Sequence, residues 1–191
     1  MNFTMMKFRA MMLCLLVMLF AGSLISCSSD DDDSPKRETP TEDTEVPTSG
    51  TAMFYFTPSE GDLLLCDVTV EYTDASGKLQ TETITGEWKK QIKFASLPAN
   101  GTIAIKRSLK ANVELAKDHY KFGYTEQSVF YANYASGAKP AGHNHGSSAN
   151  ISIGKDKVEH YVVDRHPVII SYSYTIDKKK DSDGSFVTFS K

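Results

Sequence analysis

Leu64-Leu65-Cys66-Asp67-Val68-Thr69-Val70-Glu71-Tyr72-Thr73 decides the fold class of this 191-residue chain. Leu64, Cys66, Val68, Val70 and Tyr72 share one parity; Leu65, Asp67, Thr69, Glu71 and Thr73 share the other. Period-2 alternation marks a strand with one face on a core and one in water, and the two carboxylates say which face is wet. Asp74-Ala75-Ser76-Gly77 then reads as a hairpin turn. Residues 79–94 continue as strand, with Ile84, Trp88, Ile92 and Phe94 on one parity and Gly86 as a bulge or break. Pro98-Ala99-Asn100-Gly101 is a second turn, after which Ile103, Ile105, Arg107 and Leu109 alternate with Thr102, Ala104, Lys106 and Ser108. Val168, Ile170, Tyr172, Tyr174 and Ile176 repeat the pattern near the end.

Shorter signals fill the gaps. Met53-Phe54-Tyr55-Phe56 opens as a strand, and residues 57–62 carry turn chemistry. Residues 110–118 fit either two helical turns or a β-connection. Residues 119–134 are aromatic-rich and strand-like; 149–153 and 157–163 read as a hairpin around Gly154-Lys155-Asp156. Lys178 to Gly184 is a polar turn, and Phe186 to Phe189 closes the chain. The expectation is about eight or nine short strands with at most one short helix. Parallel sheets need helical crossovers, which this pattern lacks. An all-β, antiparallel β-sandwich is therefore expected, of immunoglobulin-like or transthyretin-like type, with a small barrel second.

Composition bounds the rest. The chain is 40% hydrophobic and 24% charged with a net charge of −3, which suits a globular domain and lacks the basic excess of a nucleic-acid binder. The acidity is local. Residues 27–50 hold eight acids against two bases, whereas residues 51–191 hold sixteen against seventeen. With Pro35, Pro40 and Pro47 among Ser, Thr and Glu, residues 27–50 read as a disordered tether, and 51–191 as a single domain.

Residues 1–26 read as a targeting signal. Lys7 and Arg9 precede the apolar run Met11 to Phe20, which is shorter than the ~20 residues a bilayer span requires. Leu24-Ile25-Ser26-Cys27 resembles the lipobox of bacterial lipoproteins, and Ser28-Ser29-Asp30-Asp31-Asp32-Asp33 resembles the lipoprotein export signal of Bacteroidota. That resemblance covers only the first 33 residues. It implies cleavage before Cys27, a lipid anchor on Cys27, and attachment to the outer membrane facing the cell exterior. It also implies an accessory or adhesion role. With Cys14 cut away and Cys27 acylated, Cys66 is left alone and no internal disulfide can form; its parity places it in the core.

Candidate chemistry is sparse. His143 and His145 lie in the Gly-rich stretch 135–148, expected to be a loop, and imidazoles at i, i+2 can hold Zn²⁺ or Cu²⁺ if further ligands converge from His119, His160 or His166. Asp181-Ser182-Asp183-Gly184 resembles part of a calcium loop, but Lys179 stands where an oxygen ligand is needed, so it reads as a turn. Tyr120, Tyr124, Tyr131 and Tyr134 could offer stacking faces to a sugar. Ser136-Gly137-Ala138-Lys139 matches the S-x-x-K spacing without the companion motifs of penicillin-interacting enzymes, and no other catalytic signature occurs. The leading expectation is a non-catalytic, lipid-anchored surface module binding a glycan or protein, with no cofactor beyond the lipid. The second is a metal-binding or small catalytic domain centred on His143 and His145.

Overall fold

The computed structural model describes residues 45–190. Among these, nine strands form two antiparallel sheets packed as a β-sandwich. The strands are β1 (Ser49–Pro58), β2 (Cys66–Thr73), β3 (Leu79–Ile84), β4 (Trp88–Phe94), β5 (Ala99–Leu109), β6 (His119–Asn133), β7 (Ala141–Gly154), β8 (Val168–Ile176) and β9 (Val187–Ser190). One sheet has the order β4-β1-β6-β7, the other β3-β2-β5-β8-β9. Each sheet ends in two edge strands, so no barrel closes.

The alternating residues meet between the sheets. Phe54 and Phe56 of β1 and Phe122 and Phe130 of β6 face Val68, Val70, Ile103, Ile105, Tyr174 and Ile176, all buried. Phe130 sits 5.7 Å from Phe54, edge to face, and 4.8 Å from Tyr174. Fully burying such side chains supplies roughly 1.5–3 kcal/mol each, which holds the sheets together without a disulfide.

Several expectations are corrected. The first strand of the quoted decapeptide starts at Cys66, because Ser59 caps a one-turn helix, α1 (Glu60–Leu65), by accepting the Asp62 N–H at 3.2 Å. Leu64 is consequently 48% exposed and Leu65 buried, the reverse of strand parity. Residues 79–94 are two strands: around Gly86 the chain leaves the five-stranded sheet as β3 and enters the four-stranded one as β4. The second turn occupies residues 95–98, with a cis Leu97–Pro98 peptide, and Asn100-Gly101 is already in the ladder opposite Thr175 and Tyr174. Of the two readings open for residues 110–118, the connection is the one observed, with Asn112 at φ 56°.

The largest correction concerns residues 135–163. Only the first part of 135–148 is a turn; from Ala141 the chain is β7, paired along its whole length with β6. Residues 157–163 are not its hairpin partner. They lie in a 3-10 turn (Lys155–Lys157) and a π-helical segment (His160–Arg165). Val158 and Val162, four apart, are both buried there, and Tyr161 lies 5.2 Å from Phe122. One helical face serves those contacts, whereas strand parity would split them from Tyr161. At the other end, β1 begins at Ser49, two residues before the boundary that composition suggests, with Pro47 and Gly50 already buried.

Candidate functional site

At one end of the sandwich, the β2–β3 turn (74–77) and the β4–β5 turn (95–98) flank a cleft of about 700 Å³. Its walls carry hydroxyls and an amide from Thr73, Ser96, Asn100, Thr102, Ser173 and Thr175, with the buried rings of Phe94 and Tyr174 behind them. No charged side chain lines it. The polar wall is braced by its own bonds. Thr73 and Thr102 join through their hydroxyls at 2.9 Å, the Thr102 N–H donates to Thr73 Oγ1 at 3.1 Å, and Thr175 Oγ1 donates to Asn100 Oδ1 at 2.7 Å.

Tyr174 is the exception to that satisfaction. Its ring packs on Phe130 and, at 5.8 Å, on Phe54, and is 2% exposed. Its hydroxyl has no hydrogen-bond partner among the described residues. Burial pushes the phenol well above its ordinary value. The ring lies across Gly101, where a Cβ would come within 2.3 Å of the hydroxyl oxygen. Glycine is required there by this close approach. A buried hydroxyl left without a partner costs about 1–3 kcal/mol.

The turn beside the cleft is made rigid by Asp74. Its Oδ1 accepts from Ser76 Oγ (2.7 Å), Ser76 N (2.8 Å) and Lys78 N (3.0 Å), and Oδ2 accepts from Gln80 Nε2 (2.7 Å). The Ser76 hydroxyl and the other donors hold the Asp74 carboxyl down to about 2. Its negative charge is thus committed to the turn rather than to the cleft.

The residues singled out in the sequence are dispersed. His143 and His145 share the inward parity of β7, opposite Phe130 and Ser128, and cover the open side of the sandwich. Their rings lie 5.0 and 5.2 Å from Phe189, and His145 is 5.2 Å from Tyr172. They act there as half-buried packing groups. Among the described residues no three His, Cys, Asp or Glu side chains gather as a metal site. His160 instead meets Asp164 at 2.9 Å, and His166 packs on Tyr161 at 4.7 Å. Tyr120 is buried, with its hydroxyl accepting the Lys117 N–H at 2.9 Å. Tyr124 stacks on Phe56, Tyr134 meets Phe186 edge to face, and Tyr131 lies on the outer face beside Gly142. The four tyrosines form no common platform. Asp181 closes its own turn by accepting from Asp183 N and Ser185 N, and Ser136 is bonded to Glu45. Cys66 is buried, and burial pushes its thiol up to about 12. Cys27 lies outside the described residues.

Two buried polar groups escaped sequence reading. Asp62 and Arg107 form a buried ion pair, and Asp62 Oδ2 also accepts from Ser59 Oγ (2.6 Å) and the Gly123 N–H (3.1 Å). Gly123 has φ 151°, and a Cβ there would meet the Ala149 carbonyl at 2.0 Å. Arg107 Nε donates to the His166 carbonyl at 2.8 Å, and its guanidinium lies 4.9 Å from Tyr161 and 5.4 Å from Phe122. The available signal was the parity of Arg107, shared with Ile103 and Ile105. Glu126, also buried, accepts from Ser128 Oγ and, at 3.2 Å, from Tyr172 Oη. Sequence reading had no means of pairing β6 with β8 across the sandwich.

Comparison with known proteins finds no family model that matches the chain and no match among curated proteins.

Proposed function

We propose that this chain is a non-catalytic, lipid-anchored cell-surface module that binds a neutral glycan in the cleft flanked by the turns at residues 74–77 and 95–98. The observation carrying the ligand class is an uncharged wall lined by the hydroxyls of Thr73, Ser96, Thr102, Ser173 and Thr175 and the amide of Asn100. A volume of about 700 Å³ falls within the ~300–1,000 Å³ of small-ligand sites. Sugars present hydroxyl donors and acceptors without charge, which match the Thr, Ser and Asn side chains of the wall. A carboxylated or phosphorylated ligand would bring a charge into a cleft with nothing to pair it.

The anchor rests on the resemblance at Leu24-Ile25-Ser26-Cys27 and the following acidic run. Two or more acyl chains, at ~0.8 kcal/mol per buried CH₂, give stable attachment. The residues between Cys27 and Pro47 then act as a spacer between membrane and domain.

The test is a thermal-shift and calorimetric screen of the full chain in detergent against neutral and acidic oligosaccharides and Zn²⁺. The expected result is a shift with a neutral oligosaccharide that is weakened in Asn100→Ala and Thr102→Val. A Zn²⁺ shift abolished by His143→Ala, with no sugar response, would transfer the function to β7. Incorporation of labelled palmitate that disappears in Cys27→Ser tests the anchor separately.

A further inference from the structure

The uncharged wall of the cleft continues beyond it, as two rows of small polar side chains across the outer face of the five-stranded sheet. In the first row, Thr73 of β2 lies against Thr102 of β5, their hydroxyls 2.9 Å apart. Thr102 is paired with Ser173 of β8, and Ser173 with Ser190 of β9. In the second row, Asn100 is paired with Thr175, and Thr175 with Thr188. Thr188 and Ser190 stand outside the cleft on the edge strand, and both are exposed. Every position in the two rows carries a hydroxyl or an amide, and none a charge. This zone is local. Two residues back along β2 is Glu71, ion-paired at 2.6 Å to Lys106 of β5. A chain laid along the strands would run onto that pair, whereas one laid across them meets hydroxyls on each strand from β2 to the β9 edge.

The rows keep hydrogen-bonding capacity for a ligand. A hydroxyl has one O–H to give and two lone pairs to accept with. Thr175 gives its O–H to Asn100 Oδ1 at 2.7 Å, which leaves Thr175 as an acceptor and the Asn100 amide N–H groups as donors. Thr73 and Thr102 share one O–H between their oxygens, as do Ser173 and Ser190 at 3.2 Å, so each pair retains one O–H to offer. Donors and acceptors thus stand together along the rows, as sugar hydroxyls require. Neighbouring strands lie ~4.8 Å apart, close to the advance of one pyranose unit along a straight glycan.

On the basis of the glycan reading of the cleft, we propose that its ligand is a straight, β-1,4-linked neutral chain that crosses β2, β5, β8 and β9 and ends over Thr188 and Ser190. Four strands at that spacing accommodate about four sugar units. An α-1,4-linked glucan coils and would leave the flat face after the first units.

The test is isothermal titration calorimetry of the full chain in detergent. The probes are β-1,4-linked oligomers of glucose, mannose and xylose, one to six units long, and the α-1,4-linked glucose series. Affinity for a β-1,4 series is expected to rise up to about four units and then level, by about fivefold for each net hydrogen bond gained. The double variant Thr188→Val with Ser190→Ala should weaken binding of the tetrasaccharide about tenfold and leave the disaccharide unchanged. Thr83→Val, exposed on β3 outside both rows, should change neither. An unchanged Tm of the double variant shows that β9 stays in place. A disaccharide bound as tightly as the tetrasaccharide, a double variant that binds the tetrasaccharide normally or weakens both lengths equally, or preference for the α-1,4 series would overturn the extended site and leave the cleft reading standing. Binding of no member of any series would overturn both.

Discussion

Replacing Arg107 with Met tests how this end of the sandwich is held. Arg107 stands on β5 and ties together four segments: Asp62 in α1, the His166 carbonyl after the π-helical segment, Phe122 in β6 and Tyr161. The guanidinium and the carboxylate are both buried. Methionine keeps much of the side-chain volume and some packing on the two rings, but leaves the Asp62 carboxylate with only Ser59 and the Gly123 N–H. Removing one member of a buried ion pair costs about 3–5 kcal/mol. Loss of the bond to His166 adds about 1 kcal/mol, and loss of two cation–π contacts a similar amount, partly offset by the thioether. The expected destabilisation is about 5 kcal/mol, a fall in Tm on the order of 15 °C for a domain of this size. Urea unfolding followed by Trp88 fluorescence measures it, since Trp88 is the single tryptophan of the chain. The double variant Asp62→Leu with Arg107→Met removes both charges and should be less destabilised than the sum of the singles by about 2 kcal/mol or more. A cost below about 1 kcal/mol for Arg107→Met would refute the reasoning, because a pair that can be broken so cheaply is not withdrawn from water.

Three further outcomes follow from named groups. Tyr174→Phe deletes a buried hydroxyl that has no partner among the described residues and should stabilise the domain by about 1 kcal/mol in urea unfolding; destabilisation would contradict it. Glu82 accepts from Lys90, Trp88 and Tyr72, which together hold its carboxyl at about 2 against an ordinary 4.5. Its contribution is therefore complete above pH 4.5 and lost as pH falls through 2, so Glu82→Gln should flatten the acid limb of stability below pH 4.5, read by Trp88 fluorescence. Cys66, buried and with its thiol pushed up to about 12, should resist thiol reagents at pH 8 in the folded protein and react only on unfolding; rapid labelling of the native state would contradict its placement.

The fold was legible wherever one face is wet and one dry. Val68, Val70 and Tyr72 on β2, and Ile170, Tyr172, Tyr174 and Ile176 on β8, announce their inward face by parity, and all are buried. Local chemistry with two outcomes was harder. Gly86 marks a break in sequence, yet whether the chain turns within one sheet or changes sheets depends on partners far away in the chain. Asn100-Gly101 has strong turn propensity, but pairing with Tyr174 and Thr175 and the need for a bare backbone under the Tyr174 ring place it in β5. The stretch containing His143 and His145 reads as a loop because Gly, Ser and Asn have low strand propensity, and the ladder with β6 overrides that propensity.

The candidate site was less legible because it is built from residues that parity assigns to ordinary roles. Tyr174 reads as a core residue, and it is one; the unpartnered hydroxyl appears only once Gly101 is set opposite it. The cleft wall comes from Thr73 on β2, from the run Ser96 to Thr102 and from Ser173 and Thr175 on β8, three stretches far apart in the sequence. Charge pairs suffer the same limit. Asp62 sits in a segment with turn chemistry, and only the docking of α1 beside β5 shows that its partner is Arg107, 45 residues away.

The most direct test of the account is amide chemical-shift mapping of the full chain in detergent, titrated with the neutral oligosaccharide that gives the largest thermal shift. The account predicts saturable perturbations concentrated at Thr73, Asn100, Gly101, Thr102 and Ser173 to Thr175, weakened in Asn100→Ala and Thr102→Val. Perturbations centred on His143 and His145, or none at saturating sugar, would contradict it.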